Sequence, residues 1–371
     1  MVPEFEGVKS KIKPIAIYLP QFHPIPENDQ WWGKGFTEWT NVARARPLFR
    51  DHFQPHLPAD FGYYDLRLPA ILQAQAVLAR ENGIFGFCYY HYWFNGKRLL
   101  NRPLDDMLLS KQPDFPFMLC WANENWTRRW DGLDNEILIR QEYSEQDDID
   151  HIRFLLNKFL SDSRYIKVDE KPFILIYRPQ LFPDIRATLT RWREEAFSSG
   201  LKGLYIGYMQ SFGFKEEPTE WGFDCAIEFQ PDFSDLPDPR KPSFIDKILK
   251  KLKISESPYY TANVYSYEEL VHKIIEKGNS SPKRLFKTVC PGWDNTARRG
   301  KNAHIIHAST PELYQSWLEH IIRLTNKSEM PEKFVFINAW NEWAEGNYLE
   351  PSQQWGKAYL QATKKAVDKY A

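Results

Sequence analysis

Eight short apolar runs along the chain constrain its fold more than any other feature of the sequence. Most are continuous rather than alternating, which is typical of parallel strands buried on both faces. The runs are residues 15–20, 84–93, 115–121, 173–177, 204–209, 225–229, 285–290 and 334–340. The sequence therefore predicts a buried, mostly parallel sheet.

Helical patterns separate most of these runs. Residues 68–82 are rich in Ala, Leu and Gln and end at Asn82-Gly83, a helix stop signal. Ser144 and Thr310-Pro311 stand where helix N-termini are expected. The unit after the sixth run is the weakest, because a long polar segment precedes its helix at 266–277.

Strand and helix alternating about eight times predict one (β/α)8 (TIM) barrel with long aromatic-rich βα loops. The domain is expected to span residues 1–371, with its core at about 14–365. Two doubly wound domains are the alternative. No Pro/Gly/Ser-rich linker divides the chain and no Gly-rich nucleotide fingerprint follows a predicted strand, so the barrel is favoured.

Charge and cysteine usage narrow the function class. The formal net charge is −1, which gives no indication of nucleic acid as a partner. The four cysteines form no CxxC motif and lie far apart in apolar runs, as expected for buried thiols in a reducing compartment. No secretory h-region or long apolar span is visible, so we expect a cytoplasmic protein without stable membrane insertion.

Aromatic residues are abundant, with 14 Trp, 19 Tyr and 25 Phe. Most aromatics fill cores, but several tryptophans here stand in polar segments that resemble loops. These tryptophans are Trp31, Trp32, Trp39, Trp121, Trp126 and Trp130. Sugars stack their C–H faces on such rings while amides and carboxylates bind the hydroxyls, so the sequence predicts an oligosaccharide or polysaccharide ligand.

Polar and aromatic residues collect at the ends of the predicted strands. In a (β/α)8 barrel these positions form the active face. The candidate sugar-binding residues are Tyr18, Gln21, His23, Trp31, Trp32, Tyr89, His91, Trp121, Asn123, Glu124, Trp126, Tyr177, Arg178, Glu228, Trp293, Asp294, Asn341 and Trp343. Tyr92, Gln230, Asn295 and Trp340 stand at strand ends as well.

Glu342 and Glu345 follow the last predicted strand in the segment INAWNEWAEGNYLEPS. On a helical turn, residues at this spacing have Cβ atoms about 5–6 Å apart and project to one side. Glycosidic bonds are broken by two carboxyl groups, one protonated and one anionic. Mutual repulsion and flanking indoles raise carboxyl pKa values, which favours a catalytic pair over a solvated or helix-capping pair.

Five segments together resemble the WbsX-type proteins of bacterial surface-polysaccharide gene clusters, a glycosyltransferase-like family related to glycoside hydrolase family 99. The resemblance runs from about Pro14 to Trp355. The segments are IAIYLPQFHPIPENDQWWGKGFTEWTNV, GFCYYHYWFNGKRLL, CWANENWTRRWDG, PGWDN and NAWNEWAEGNYLEPS.

The resemblance implies a (β/α)8 barrel and a retaining action on α-mannoside-like bonds. It assigns the family's Glu-x-x-Glu pair to Glu342 and Glu345. Glu342 is then the base that takes the proton of the sugar 2-hydroxyl, so that this oxygen closes on the anomeric carbon. Glu345 is the general acid and afterwards the base for the incoming water or sugar.

Two other functions stay open. A nucleotide-sugar-dependent glycosyltransferase of O-antigen or capsule biosynthesis needs a diphosphate site, but Asp105-Asp106 fits a helix start better than a metal site. The E-x7-E spacing of Glu342 and Glu350 is interpreted as coincidence. A non-catalytic glycan-binding barrel is disfavoured because both members of the Glu-x-x-Glu pair are present.

Glu124 is the alternative general acid, because Asn123-Glu124 after a strand resembles the acid/base site of other barrel hydrolases. No catalytic metal or other cofactor is expected. Pro55 prevents His52 and His56 from sharing one helical face, and residues 304–307 (HIIH) are more typical of an ordinary turn. The sequence carries no signal for the oligomeric state.

Overall fold

The computed structural model describes residues 12–128, 133–252, 257–278 and 284–370. Trp130, one of the loop tryptophans singled out above, lies outside the described residues. Among the described residues, no helix combines the length and the apolar character that crossing a bilayer requires.

Eight parallel strand positions form the core of the fold. Each strand pairs with its neighbours along the chain, and the seventh is split into two short pieces. The strands are β1 (Lys13–Tyr18), β2 (Gly86–Phe94), β3 (Phe117–Trp121), β4 (Lys171–Ile176), β5 (Tyr205–Gln210), β6 (Cys225–Glu228), β7 (Leu285–Phe286 and Thr288–Val289) and β8 (Phe334–Ile337).

The ring closes through β7 and β8. The first piece of β7 pairs with β6 in the register Ala226↔Leu285, and the second piece pairs with β8 in the register Thr288↔Phe336. β8 in turn pairs with β1. The prediction of a (β/α)8 barrel is confirmed, because every described core strand has a parallel neighbour on both sides.

Helices surround the barrel and also occupy its loops. They are α1 (Pro26–Trp32), α2 (Glu38–Arg44), α3 (Pro69–Glu81), α4 (Arg102–Ser110), α5 (Glu145–Leu155), α6 (Ile185–Ser198), α7 (Phe244–Lys251), α8 (Tyr267–Lys277), α9 (Thr296–Arg299), α10 (Pro311–Lys327) and α11 (Ala358–Asp368). β5 is followed by the short 3-10 helix Pro218–Trp221 instead of an α-helix.

Short accessory strands extend the loops at the carboxyl ends of the barrel. Asn263–Ser266, His304–His307 and Trp293–Asp294 form a small sheet beside the β6 and β7 ends. Asn341–Glu342 and Asn347–Tyr348 form a hairpin directly after β8. Lys97–Leu99 pairs with the end of β2, and Trp126–Arg128 pairs with Leu133–Ile139. Lys167–Val168 instead pairs with the start of β4, at the amino end of the barrel.

The predicted N-caps are present. Ser144 accepts a hydrogen bond from the Asp147 backbone N–H at the start of α5, and Thr310 accepts one from the Leu313 N–H at the start of α10. α10 then buries one apolar face that includes Trp317 and Ile321. Each cap satisfies a backbone donor that the helix itself cannot pair.

We expect Thr310→Ala to lower the free energy of unfolding by about 1 kcal/mol, because it removes the acceptor that caps α10. Thr310→Ser keeps a hydroxyl at the same position and is the matched control, expected to stay close to wild type. Urea unfolding followed by circular dichroism measures both. Equal stability of the two variants would contradict a capping role.

Candidate active site

A tight hairpin after β8 positions the two predicted catalytic residues. Glu342 ends the short strand Asn341–Glu342, and Glu345 ends the 3-10 turn Trp343–Glu345. Gly346 follows with φ +57°, and a Cβ there would lie 2.8 Å from the Asp294 Cβ, so this position requires glycine. The sequence predicted a helical turn; the 3-10 turn likewise brings both carboxyl groups to one side.

Arg298, from α9, holds three carboxyl groups together. Its Nη2 lies 3.1 Å from Glu342 Oε2, its Nη1 donates to Glu345 Oε1, and its Nη2 lies 2.8 Å from Glu38 Oε2. Glu38 belongs to α2 and is fully buried. One guanidinium from the loop after β7 therefore faces three carboxyl groups, one from the loop after β1 and two from the loop after β8. The cluster carries a charge of −2 if all three are ionised.

Burial dominates the protonation of the pair. Burial raises the pKa of Glu342 to about 8, with repulsion from Glu345 and Glu38 adding to the rise and Arg298 opposing it. Burial also raises the pKa of Glu345, again against Arg298. The pair therefore retains a proton near neutral pH, as a general acid must.

Glu350 anchors the tryptophans that flank Glu342 and does not line the cavity. Its Oε1 accepts hydrogen bonds from Gln75 Nε2 at 2.6 Å and Trp340 Nε1 at 3.0 Å. Its Oε2 accepts from Tyr64 Oη at 2.8 Å and Trp343 Nε1 at 2.7 Å. Burial raises the pKa of Glu350 to about 7, although these donors oppose the rise. The E-x7-E spacing thus joins a cavity residue to a scaffold residue.

A cavity of about 780 Å³ opens at the carboxyl ends of the strands. This volume lies within the range of about 300–1,000 Å³ that is usual for ligand sites. Glu342, Glu345 and Arg298 form part of its wall. The aromatic residues that line it are Tyr90, Tyr92, Trp126, Tyr177, Phe212, Phe229, Phe233 and Trp293.

Seven of the predicted site residues line this cavity, namely Gln21, Glu124, Trp126, Tyr177, Trp293, Glu342 and Glu345. Gln21 is fully buried, and neither of its amide atoms has a hydrogen-bond partner in the described part of the chain. The indole Nε1 of Trp293 is likewise buried without a partner among the described residues. Buried polar atoms need partners, so both side chains are suited to bind ligand hydroxyls.

Five predicted residues, Tyr18, Tyr89, His91, Trp121 and Glu228, project towards the helices instead. Side chains alternate between the two faces of a strand, and paired residues on adjacent parallel strands share a face. Tyr18 pairs with Tyr89, and His91 pairs with Trp121. The continuous apolar runs conceal this alternation, and Tyr90 and Tyr92 are the β2 residues that line the cavity.

Three of these side chains make contacts outside the barrel lumen. Tyr18 Oη donates to Gln75 Oε1 of α3 at 2.6 Å. His91 Nε2 lies 3.0 Å from His151 Nε2 of α5, and burial lowers the pKa of His91 to about 3. Glu228 pairs with Lys287 at 3.3 Å in a separate crevice of about 190 Å³.

Two asparagines clamp neighbouring strand ends. The Asn123 side chain accepts from the Arg178 backbone N–H at 2.8 Å and donates to the Arg178 carbonyl at 2.8 Å. The Asn341 side chain binds the backbone of Leu19 in the same way, at 2.8 and 3.1 Å. These side-chain amides supply the hydrogen bonds that backbone groups would make if the two strands continued side by side. They support the cavity wall without lining it.

The other predicted residues hold loops in place. Asp294 accepts from His52 Nε2 at 2.7 Å and Gln54 Nε2 at 2.6 Å, and Trp343 stacks on Tyr348 with ring centroids 3.8 Å apart. Arg178 pairs with the cavity residue Glu124.

The first βα loop holds three further predicted residues away from the cavity lining. Trp31 and Trp32 pack against a small apolar cluster that includes Trp126. His23 is buried, and this burial lowers its pKa to about 4.

Arg298 and Glu38 are the site residues that sequence analysis missed. Arg298 lies only four residues beyond Asp294, and Glu38 stands within GFTEWT, a segment already singled out. In a closed barrel the ends of β7, β8 and β1 are adjacent, so a charged residue in each of the three loops is a usable signal. Among the described residues, no cluster of His, Cys, Asp and Glu is arranged to hold a metal ion.

The sequence profile of the glycosyltransferase WbsX family matches residues 14–363. The chain belongs to the WbsX glycosyltransferase family. It is 43% identical over 356 residues to the uncharacterized protein WxcX from two strains of Xanthomonas campestris pv. campestris, an alignment that covers 95% of this chain. The alignment covers 49% of each relative, so the chain spans about half the length of these relatives.

Solved structures with the same fold include carbohydrate-active proteins. A glycoside hydrolase-like protein superposes with a TM-score of 0.57 at 16% identity, covering 99% of this chain and 96% of that one. The GH99 endo-alpha-mannosidase from Bacteroides thetaiotaomicron superposes with a TM-score of 0.55 at 12% identity, covering 96% and 97%. The family match and the shared fold confirm the resemblance drawn from the sequence motifs.

The pKa of Glu342 predicts an unusual dependence of stability on pH. Its folded-state pKa of about 8 exceeds the ordinary value of 4.5, so the folded protein loses stability as pH rises through this interval. Glu342→Gln should therefore be more stable than wild type at pH 9, on the order of 1–4 kcal/mol, with the difference vanishing near pH 4. Chemical unfolding at a series of pH values measures it.

The exposed Glu194→Gln in α6 is the matched control for this experiment and should follow wild type at every pH. A Glu342→Gln variant that is less stable than wild type at pH 9 would show that the ionised carboxylate stabilises the fold.

Proposed function

We propose that this chain cleaves or transfers a glycosidic bond with retention of configuration, acting on α-mannoside-like glycans of bacterial surface-polysaccharide metabolism. One observation carries the proposal: Glu342 and Glu345, both with raised pKa values, share Arg298 at the wall of an aromatic-lined cavity. The description of the solved neighbour as an endo-alpha-mannosidase supports the choice of sugar.

In each step of this reaction one carboxyl group donates a proton and the other accepts one. In the first step one carboxyl group protonates the departing oxygen, while the other takes the proton of the sugar 2-hydroxyl and that oxygen closes on the anomeric carbon. In the second step water or an acceptor sugar gives its proton to the first group and attacks the anomeric carbon. The bond from the 2-oxygen to that carbon breaks, and the second group returns its proton to the 2-oxygen. Two opposite displacements retain the configuration.

The family resemblance assigns the base to Glu342 and the acid to Glu345. Burial raises the pKa of both carboxyl groups, so the pair keeps a proton in the protein without substrate. For these roles the shared proton must be on Glu345 when the substrate is bound. Arg298 contacts both carboxyl groups and stabilises whichever one is ionised at each stage.

The cavity wall supplies the contacts that a neutral glycan requires. Tyr90, Tyr92, Tyr177 and Trp293 offer ring faces for the sugar C–H groups. Gln21 and Glu124 offer polar atoms for its hydroxyls. Glu124 is already paired with Arg178, which suits it better to bind a hydroxyl than to deliver a proton.

A nucleotide-sugar-dependent transferase of O-antigen or capsule biosynthesis is the second candidate, because the family itself is described as glycosyltransferases. Hydrolysis and transfer can use the same two carboxyl groups and differ in the acceptor. Incubating the protein with mannosides, with nucleotide sugars and with an acceptor glycan, and analysing products by NMR, separates the reactions.

On a mannoside that is turned over, Glu342→Gln and Glu345→Gln should each reduce kcat by about 10²–10⁴-fold, because the amide keeps the shape but exchanges no proton. Glu228→Gln is the matched control, since Glu228 faces Lys287 outside the cavity, and should retain activity. Full activity in either pair variant would contradict the proposal.

Leaving-group chemistry then distinguishes acid from base. An activated aryl glycoside needs no protonation of its leaving group, so it should restore part of the activity of Glu345→Gln and none of that of Glu342→Gln. Glu124→Gln should raise KM more than it lowers kcat. If Glu124→Gln is the variant that the aryl glycoside rescues, Glu124 is the acid.

Gln21→Leu should raise KM about tenfold while leaving the protein at least as stable as wild type. The amide is buried without a partner among the described residues, so its loss removes a ligand contact and no internal bond. Steady-state kinetics and thermal unfolding measure the two effects. A loss of stability with unchanged KM would show that Gln21 is structural.

A further inference from the structure

Helix α7 presents an apolar face that the described chain leaves uncovered. The exposed fractions are 76% for Phe244, 68% for Ile245 and 41% for Ile248. Leu252, the residue directly after the helix, is 61% exposed. Residues at this spacing lie on one side of a helix. The apolar faces of other helices, such as α10, are buried against the barrel. Burial against the described part of the chain therefore does not explain the α7 face.

Basic residues are concentrated in the same segment as this face. Residues 240–252 contain Arg240, Lys241, Lys247, Lys250 and Lys251 against a single acidic residue, Asp246, whereas the whole chain has a net charge of −1. Asp246 is turned back into the helix N-cap, where its Oδ2 accepts from the Ser243 N–H and Oγ–H, each at 2.7 Å. A basic segment that carries an exposed apolar helix face is typical of helices that bind anionic membrane surfaces.

The α7 segment belongs to the long connection between β6 and α8, residues 229–266, part of which lines the cavity. Asp232 and Phe233, earlier in this connection, line the cavity. The Arg240 backbone N–H donates to the Val264 carbonyl at 2.7 Å, which ties the start of the segment to the strand Asn263–Ser266. That strand pairs with His304–His307, and His304 also lines the cavity. The apolar face is therefore carried by the carboxyl-end loops that form the cavity mouth.

We propose that α7 is a peripheral docking element for an anionic lipid surface, with Phe244, Ile245, Ile248 and Leu252 entering the interface and the lysines contacting the headgroups. Exposed apolar side chains at the tip of a short helix, with lysines on its flanks, suit a fluid lipid surface. Two helical turns give weak, reversible and salt-sensitive binding. Docking would hold the cavity mouth near membrane-attached glycans, and it does not depend on which reaction the cavity performs.

Vesicle co-sedimentation of the 371-residue chain tests this. We expect binding to vesicles of equal parts phosphatidylglycerol and phosphatidylcholine, little binding to phosphatidylcholine alone, and loss of binding between about 0.1 and 0.5 M salt. The double variant Phe244→Ser/Ile245→Ser and the charge reversal Lys247→Glu/Lys251→Glu should each reduce the partition coefficient at least about tenfold.

Matched controls keep the test specific to α7. Phe197 on α6 is also 76% exposed, so Phe197→Ser should bind vesicles like wild type. Lys365→Glu on α11 controls for general charge. All four variants change exposed residues and should keep the wild-type melting temperature.

Two results would overturn the proposal. The first is equal vesicle binding by wild type and the α7 variants, or no binding to anionic vesicles. The second is a self-associated wild type that Phe244→Ser/Ile245→Ser converts to a monomer, which assigns the face to a second copy of the chain.

Discussion

A single buried guanidinium among three carboxyl groups organises the active end of this barrel. Arg298 contacts Glu38, Glu342 and Glu345, and these residues come from the loops after β7, β1 and β8. Those strands are neighbours only because the sheet closes, so the cluster exists only in the closed barrel. One positive charge cannot neutralise three carboxylates, and the cluster therefore keeps a proton that acid–base chemistry can use.

Hydrogen bonds behind the cavity hold the segment that carries Glu342 and Glu345 in place. Glu350 accepts from the indoles of Trp340 and Trp343, on either side of Glu342, and from Tyr64 and Gln75. Asn341 clamps the hairpin to Leu19 at the end of β1. Fixed supports of this kind place reacting groups with little freedom, which is what catalysis by positioned charge requires.

The sequence predicted the barrel and located the Glu-x-x-Glu pair after its last strand, because both features depend on local pattern. Continuous apolar runs mark strands buried on both faces, and the pair follows the last of them directly. The same continuity hides which residues face the lumen. Tyr89 and His91 were therefore as plausible as Tyr90 and Tyr92 for lining the cavity, but only Tyr90 and Tyr92 line it. Contacts between distant loops, such as Arg298 with Glu38, depend on closure and carry no local signal.

The most direct test of the central claim is a crystal structure of the protein with a mannose-shaped iminosugar or a mannoside. The account predicts the sugar ring in the cavity of about 780 Å³, stacked on the aromatic wall. The anomeric carbon of the sugar should lie within contact distance of the Glu345 carboxyl group. The sugar 2-hydroxyl should form a hydrogen bond of about 2.6–3.2 Å with the Glu342 carboxyl group. A sugar bound away from this pair, or a nucleotide filling the cavity mouth with no room for a glycan, would contradict it.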